Sequence, residues 1–487
     1  MKTIVVAGDP VWERHLVPDT PQPAWIKMWT EAGGAWRLAR LVRSACSDLQ
    51  VRVVHCDANG EAANRYAAWA LFEQTAGSRI KVWRVREFLG TEPPQKDAAV
   101  QLQGEVPNPE LLVLDDTNLG IREDASRWPL ALQPDGDAGA IVWRTGAPIF
   151  ESALAERLLS SFAARLTAVI PVDALRARRA AIARALSWDR AVEETVREME
   201  SGVSARDLAE LKRVIVTFGT SGAAMFSLGR LERLVFDPDA LESSWESKRP
   251  GLMQEQGDIL AAAVARHELQ PADFPMCLAL CRALVASRAR VERGGGPGDS
   301  FDPSAAERMA GEILHAAPTS PEPARGFFTS VPHHLLDETT FKSQPARHSD
   351  LLRDVTGAGY EYVLARAADV VLRGPSAALT AAPRAKYAKY FTVDREEIER
   401  MNAVRNTIDE YRKNQKDARP LSLAVFGPPW LRQVFRDQTA CGGDVRGQGA
   451  GSGVQSLAVR ECRRSAYGFS PRARWVGQRS GAACLLG

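Results

Sequence analysis

Along the first 290 residues the hydrophobic positions fall by turns into short solid runs and into longer stretches of helical spacing. The run Ile4-Val5-Val6-Ala7, ending in Gly8-Asp9, predicts a strand buried on both faces. From Gly33 to Ala45, Leu38, Leu41 and Val42 share one helical face. Further strands are predicted at residues 51–54, 80–85, 111–114, 141–143 and 167–172, the one at 80–85 alternating and half exposed. Residues 62–72 predict a helix, as do Leu154, Leu158, Leu159, Phe162 and Leu166. Ser204 and Asp207 have capping-box spacing and open a short helix that leads into residues 214–217. That β-branched run stops at Gly219-Thr220-Ser221-Gly222, after which residues 223–228 are apolar again. Strand and helix alternating over this length predict an α/β fold, a mostly parallel sheet with helices on both faces.

After residue 293 the pattern changes. Residues 294–325 are rich in Gly and Pro and read as a linker that closes a first domain at 1–293. Residues 326–419 predict a helical segment, with an apolar stretch at 362–372 and a stripe of Ile398, Met401, Val404, Ile408 and Tyr411 facing a core. Residues 420–429 read as a buried strand followed by Gly427-Pro428-Pro429. The tail, 430–487, has no lysine, holds three of the seven cysteines and shows no sustained period. It predicts disorder, either as the product of a lost reading frame or as a natural basic tail.

Composition narrows the classes. At 487 residues the chain is too long for one ordinary domain. A net charge of +2 gives no broad basic surface, so no specific nucleic acid is expected as a partner. No run approaches a membrane span, and Asp9 interrupts the short apolar N-terminus, so a cytoplasmic, membrane-free location is expected. Cys277 and Cys281 lie one helical turn apart in an apolar segment and read as free thiols. A homo-oligomer stays open.

In open α/β sheets ligands sit beyond the carboxyl ends of the strands. Asp9, Asp115, Asp116, Asn118, Gly219 and Asp258 all fall at such ends or in the turns that follow. Gly219 and Gly222 let the backbone approach a nucleotide, or simply make a tight turn. Asp258 follows Gly257 at the start of an apolar helical run. There a carboxylate can accept a hydroxyl proton while helix N–H groups face a phosphate, or it can act only as a helix cap.

In this order the pieces resemble the PfkB/ribokinase-like family of small-molecule kinases, over roughly residues 1–290. The resemblance implies Asp9, Gly33, Gly34 and Asn118 at the substrate, with Thr217, Gly219, Gly222 and Gly257 at ATP and its Mg2+. It also implies Asp258 as catalytic base. The sequence departs from the pattern at the anion turn, which reads Glu255-Gln256-Gly257-Asp258 where the family has Gly-Ala-Gly-Asp. A glutamate there puts a negative charge and a Cβ in the way of a phosphate. Trp36-Arg37-Leu38 stands where an Asn is expected. Gly298-Asp299-Ser300-Phe301 is closer in letter, but it lies in the Gly/Pro-rich stretch and reads as a decoy.

Residues 420–429 resemble the first strand and phosphate-loop start of AAA+ ATPases. They continue as Trp430-Leu431-Arg432, without the Gly-Lys-Ser/Thr that would hold phosphate, so a truncated start is expected. The functional expectation is a nucleotide- or small-ligand-binding module, catalytically degenerate, that regulates an AAA+ ATPase. The alternative is an active ATP-dependent sugar or nucleoside kinase using Asp258.

Overall fold

Strand β1 (Lys2–Gly8) lies in the interior of the main sheet, flanked in parallel by β4 (Val51–His55) and β7 (Leu111–Asp116). The computed structural model describes residues 2–18, 26–55, 66–76, 80–91, 102, 104–116, 120–146, 149, 151–184, 186–242, 244–246, 252, 255–294, 303–315, 328–330, 360–380, 382–387, 390–413, 421–425 and 482–486. Two compact units result: Met1–Ala346 with Asp350–Ala381, and Arg347–Ser349 with Ala382–Gly487.

In the first unit the sheet continues from β7 through β8 (Ala140–Thr145), β9 (Leu166–Pro171) and β10 (Arg213–Thr217), all parallel. It then turns antiparallel through β11 (Gly222–Ser227), β12 (Arg230–Phe236) and β13 (Phe328–Ser330). The order across the nine strands is β13-β12-β11-β10-β9-β8-β7-β1-β4. The fold class is therefore α/β with a mostly parallel sheet, as the strand–helix alternation predicts.

Period-two alternation divides the core between the two faces of the sheet. Ile4, Val6, Leu111 and Val113 pack with α1 (Ala35–Ala45), α5 (Gln256–Leu269), α6 (Met276–Arg293) and α7 (Pro303–His315). Val5, Ala7, Leu112 and Leu114 pack on the other side with α2 (Ala153–Phe162), α3 (Val172–Ala177) and α4 (Trp188–Ser201). Ser152 caps α2 by accepting from Ala155 N–H, and Ser187 caps α4 by accepting from Arg190 N–H. The unit runs past the expected boundary at 293, because α7 packs on α6 and α1, and β13 joins the sheet edge.

A second sheet, of four strands, has the order β3-β2-β5-β6: β2 (Pro10–Pro18), β3 (Ile26–Gly34), β5 (Tyr66–Ala76) and β6 (Ile80–Thr91). This corrects the helix expected at residues 62–72. Trp69 and Leu71 lie two residues apart on one face of β5, and pack with Trp29, Trp83 and Val85. Cross-strand packing on both sides of β5 overrides the helix propensity of its alanines. Residues 82–85 are all buried, so β6 is not half exposed there.

Two smaller expectations also change. The short helix forms as a 3-10 turn at residues 203–210, but its cap position is Gly202 and no capping box forms; the Ser204 hydroxyl donates to the Arg178 carbonyl at 2.9 Å. Residues 326–419 hold strands as well as helices, namely β13 and the hairpin β14 (Ala385–Tyr387) with β15 (Tyr390–Thr392).

In the second unit that hairpin is tied to helix Arg395–Lys413: the Tyr387 hydroxyl bonds the Ile398 carbonyl at 3.0 Å and Asn402 at 2.8 Å. Of the predicted stripe Ile398 is buried, but Val404 is 43% exposed, so the face is not wholly a core face. Leu421–Val425 is a strand, paired in parallel with Ala482–Leu486. The apolar run at 482–486 thus departs from the disorder expected for the tail. Asn118, Gly298, Asp299 and residues 426–481 lie outside the described residues. Among the described residues no helix is long and apolar enough to cross a membrane.

Candidate functional site

The carboxyl ends of β1, β7, β8 and β10 meet the start of α5, and the predicted site residues gather there. Asp9, just after β1, is buried. Its N–H donates to the Asp115 carbonyl at 3.2 Å, and its Oδ1 accepts from Ile121 N–H at 2.9 Å. Its carbonyl in turn accepts from Ala35 N–H at 3.2 Å, which fixes the first turn of α1 beside it. Gly34, with φ +56°, makes this possible, since a Cβ there would overlap the Asp9 carbonyl oxygen. Gly33 lies against Glu13, whose side chain would sit 2.5 Å from a Cβ.

Asp258 is fully buried in the first turn of α5. Arg37 Nε donates to its Oδ2 at 2.8 Å, and Arg144 Nε lies 3.3 Å from its Oδ1. Arg37 comes from α1 and Arg144 from the end of β8. Arg144 also donates to Asp115 Oδ1 at 2.9 Å, so Asp9, Asp115, Arg144 and Asp258 form one continuous chain of contacts. Gly257 packs against Arg144, with its Cβ position 2.6 Å from Nε.

The acid at position 255 is part of the same network. Glu255 caps α5 in a left-handed conformation, φ +69°, unusual for a residue with a Cβ. Arg290 of α6 grips its carboxylate with both arms, at 2.9 and 3.0 Å, and Arg37 Nη1 lies 3.9 Å away. Burial pushes this carboxyl up, but Arg290 and Arg37 outweigh burial and hold it at about 2. Asp115 goes the other way: burial, reinforced by Asp258 and Asp9 against the pull of Arg144, raises it to about 8.

At the glycine bend, Thr217 ends β10 and Gly219 takes φ +56°. Gln256 donates to the Gly219 carbonyl at 2.5 Å, joining the bend to the start of α5. The bend is not open, because Glu246 Oε1 accepts from Thr220 N–H at 2.5 Å and from its hydroxyl at 2.7 Å. Gly222 lies under the Trp188 ring, which a Cβ would strike. Its smallness serves packing against that indole.

The structure thus brings together Asp9, Gly33, Gly34, Gly257 and Asp258, with the bend at Gly219 linked through Gln256. Sequence reasoning named Arg37 only within a departure from the motif and gave it no role, and it missed Arg144, Arg290 and Glu246. Arg37 could have been found from its place in the motif; the others, distant in sequence, left no local signal. With Glu246 on the bend and two arginines on Asp258, the described residues as they stand do not fit the phosphates of ATP with its Mg2+.

No protein-family profile matches the chain, and no curated protein matches it. Among solved structures it is similar to a ribokinase from Thermotoga maritima, at 14% identity and a TM-score of 0.37, covering 65% of this chain and 100% of that one. A ribokinase from Cryptococcus neoformans in complex with ADP aligns at 13% identity and a TM-score of 0.36, covering 62% and 96%. A nucleoside kinase from Methanocaldococcus jannaschii aligns at 12% identity and a TM-score of 0.33, covering 63% and 98%. Likeness at this level says nothing of activity or ligand.

Proposed function

We propose that the chain is a ligand-binding module on a ribokinase-like scaffold, one that takes a nucleotide or another small polar molecule without transferring phosphate. The pairing of Asp258 carries this reading. A carboxylate placed to deprotonate a hydroxyl needs a free oxygen facing the substrate. Here Oδ2 accepts from Arg37, and Oδ1, which makes no hydrogen bond among the described residues, is fully buried 3.3 Å from Arg144 Nε. Glu255, gripped by Arg290, adds a fixed negative charge at the turn where a phosphate would approach.

Because the bend as it stands is filled, ATP with Mg2+ enters this proposal only where its phosphates displace Glu246 from Thr220. The module's further role is to regulate an AAA+ ATPase, the class whose opening residues 420–429 resemble. Thermal-shift and calorimetric titrations with ATP, ADP, AMP, sugars and nucleosides test the reading. A ligand at 100 times its Kd stabilises the native state by about 2.7 kcal/mol, so one responsive ligand class without product formation is expected. No response to any of them would refute ligand binding. Turnover lost in Asp258→Ala would refute the degenerate reading in favour of a kinase.

A further inference from the structure

The four-stranded sheet turns two carboxylates and an imidazole toward one buried point. Val11, Glu13 and His15 alternate on the buried face of β2, and Glu31 of β3 lies directly opposite Glu13 in the antiparallel register. One ligand atom each from Glu13, His15 and Glu31 can be chosen so that all three lie within 4.8 Å of one another. His15 Nε2 is 3.7 Å from Glu31 Oε1. Like charges directly opposite in a sheet destabilise it, the more so when buried. Glu13 is 4% exposed, and its Oε2 and Glu31 Oε1 are buried with no hydrogen-bond partner among the described residues. Arg37 Nη1 takes only the other oxygen of Glu13, Oε1, at 2.8 Å.

We propose that Glu13, His15 and Glu31 form a binding site for a divalent first-row transition metal, Zn2+ or Mn2+. Two carboxylates with one imidazole suit these ions, whereas Mg2+ and Ca2+ favour all-oxygen shells. Bonds of about 2.0–2.2 Å at tetrahedral angles place ligand atoms about 3.4 Å apart, so the side chains close around the ion by up to about 1.4 Å. Arg37, on Glu13 Oε1, orients the ligand from behind, as an outer-shell partner does. A proton is the ion's competitor, so binding releases protons and weakens as pH falls. The site shares Arg37 with the Asp258 pairing, but its metal readout needs no ligand bound there.

The test uses the full chain after chelator treatment and dialysis, titrated by calorimetry with ZnCl2, MnCl2 and MgCl2. Trp29 and Trp69, the cross-strand neighbours of His15, give a parallel fluorescence signal. One equivalent of Zn2+ or Mn2+ is expected, with Mg2+ weaker, and a loss of tenfold or more in Glu31→Gln and His15→Ala. Circular dichroism checks that the variants are folded. X-ray absorption of the Zn2+-loaded wild-type chain gives a second readout, expected to show one imidazole nitrogen and carboxylate oxygens. No saturable site, binding unchanged in folded Glu31→Gln, or a sulfur-coordinated ion would each overturn the proposal.

Discussion

Arg37 is buried among Glu13, Glu255 and Asp258, where water cannot replace its charge. Removing one partner of a buried ion pair leaves the others uncompensated, at about 3–5 kcal/mol. Arg37→Met should therefore lower stability by about that much in urea denaturation; a change under about 1 kcal/mol would show that the network carries little. The raised acids set a pH dependence. Asp115 and Glu31 are held near 8 in the fold, against 3.8 and 4.5 without it, so the stability they contribute is lost as pH rises from about 4 through 8. Glu255, depressed to about 2, contributes stability above 4.5 that is lost as pH falls toward 2. Urea midpoints of the metal-free chain should thus decline from pH 5.5 to 8.5, and less so in Glu31→Gln. A rise over that window would contradict the assignment. At this scale the sequence was half legible. The glutamate at 255 and the arginine at 37 were visible as departures from a motif. Their partners were not, since Arg37 and Asp258 are 221 residues apart and only the fold joins them.

The turn between β10 and β11 is occupied by Glu246. Its carboxylate holds the Thr220 N–H and hydroxyl, donors that a phosphate would use. Glu246→Ala should raise affinity for ATP or ADP several-fold in calorimetry, whereas equal or weaker binding would place the phosphates elsewhere. The junction of β3 and α1 is rigid in a different way. Gly34→Ala puts a Cβ into the Asp9 carbonyl at positive φ, and should cost at least about 2 kcal/mol in chemical denaturation. The parallel strands were readable from their solid apolar runs. The four-stranded sheet was not, because one of its inner strands, β5, is alanine-rich and its other inner strand, β2, lies far off in sequence, so local spacing pointed to a helix.

For the molecule, these features describe an α/β scaffold whose strand ends gather Asp9, Gly34, Gly257 and Asp258 and surround them with the chain's own charges. Arginines from α1 and β8 stand at the acid, a third from α6 at the anion turn, and a carboxylate at the bend. The alternation of strand and helix made the scaffold legible, while the closure of the site depends on long-range pairs that no spacing encodes. The most direct measurement is ADP release from ATP over a panel of sugars and nucleosides, by the wild-type chain beside Asp258→Asn. The account predicts no turnover in the wild type above that of the variant. Turnover that Asp258→Asn abolishes would show that the arginines yield to substrate and that the site is catalytic.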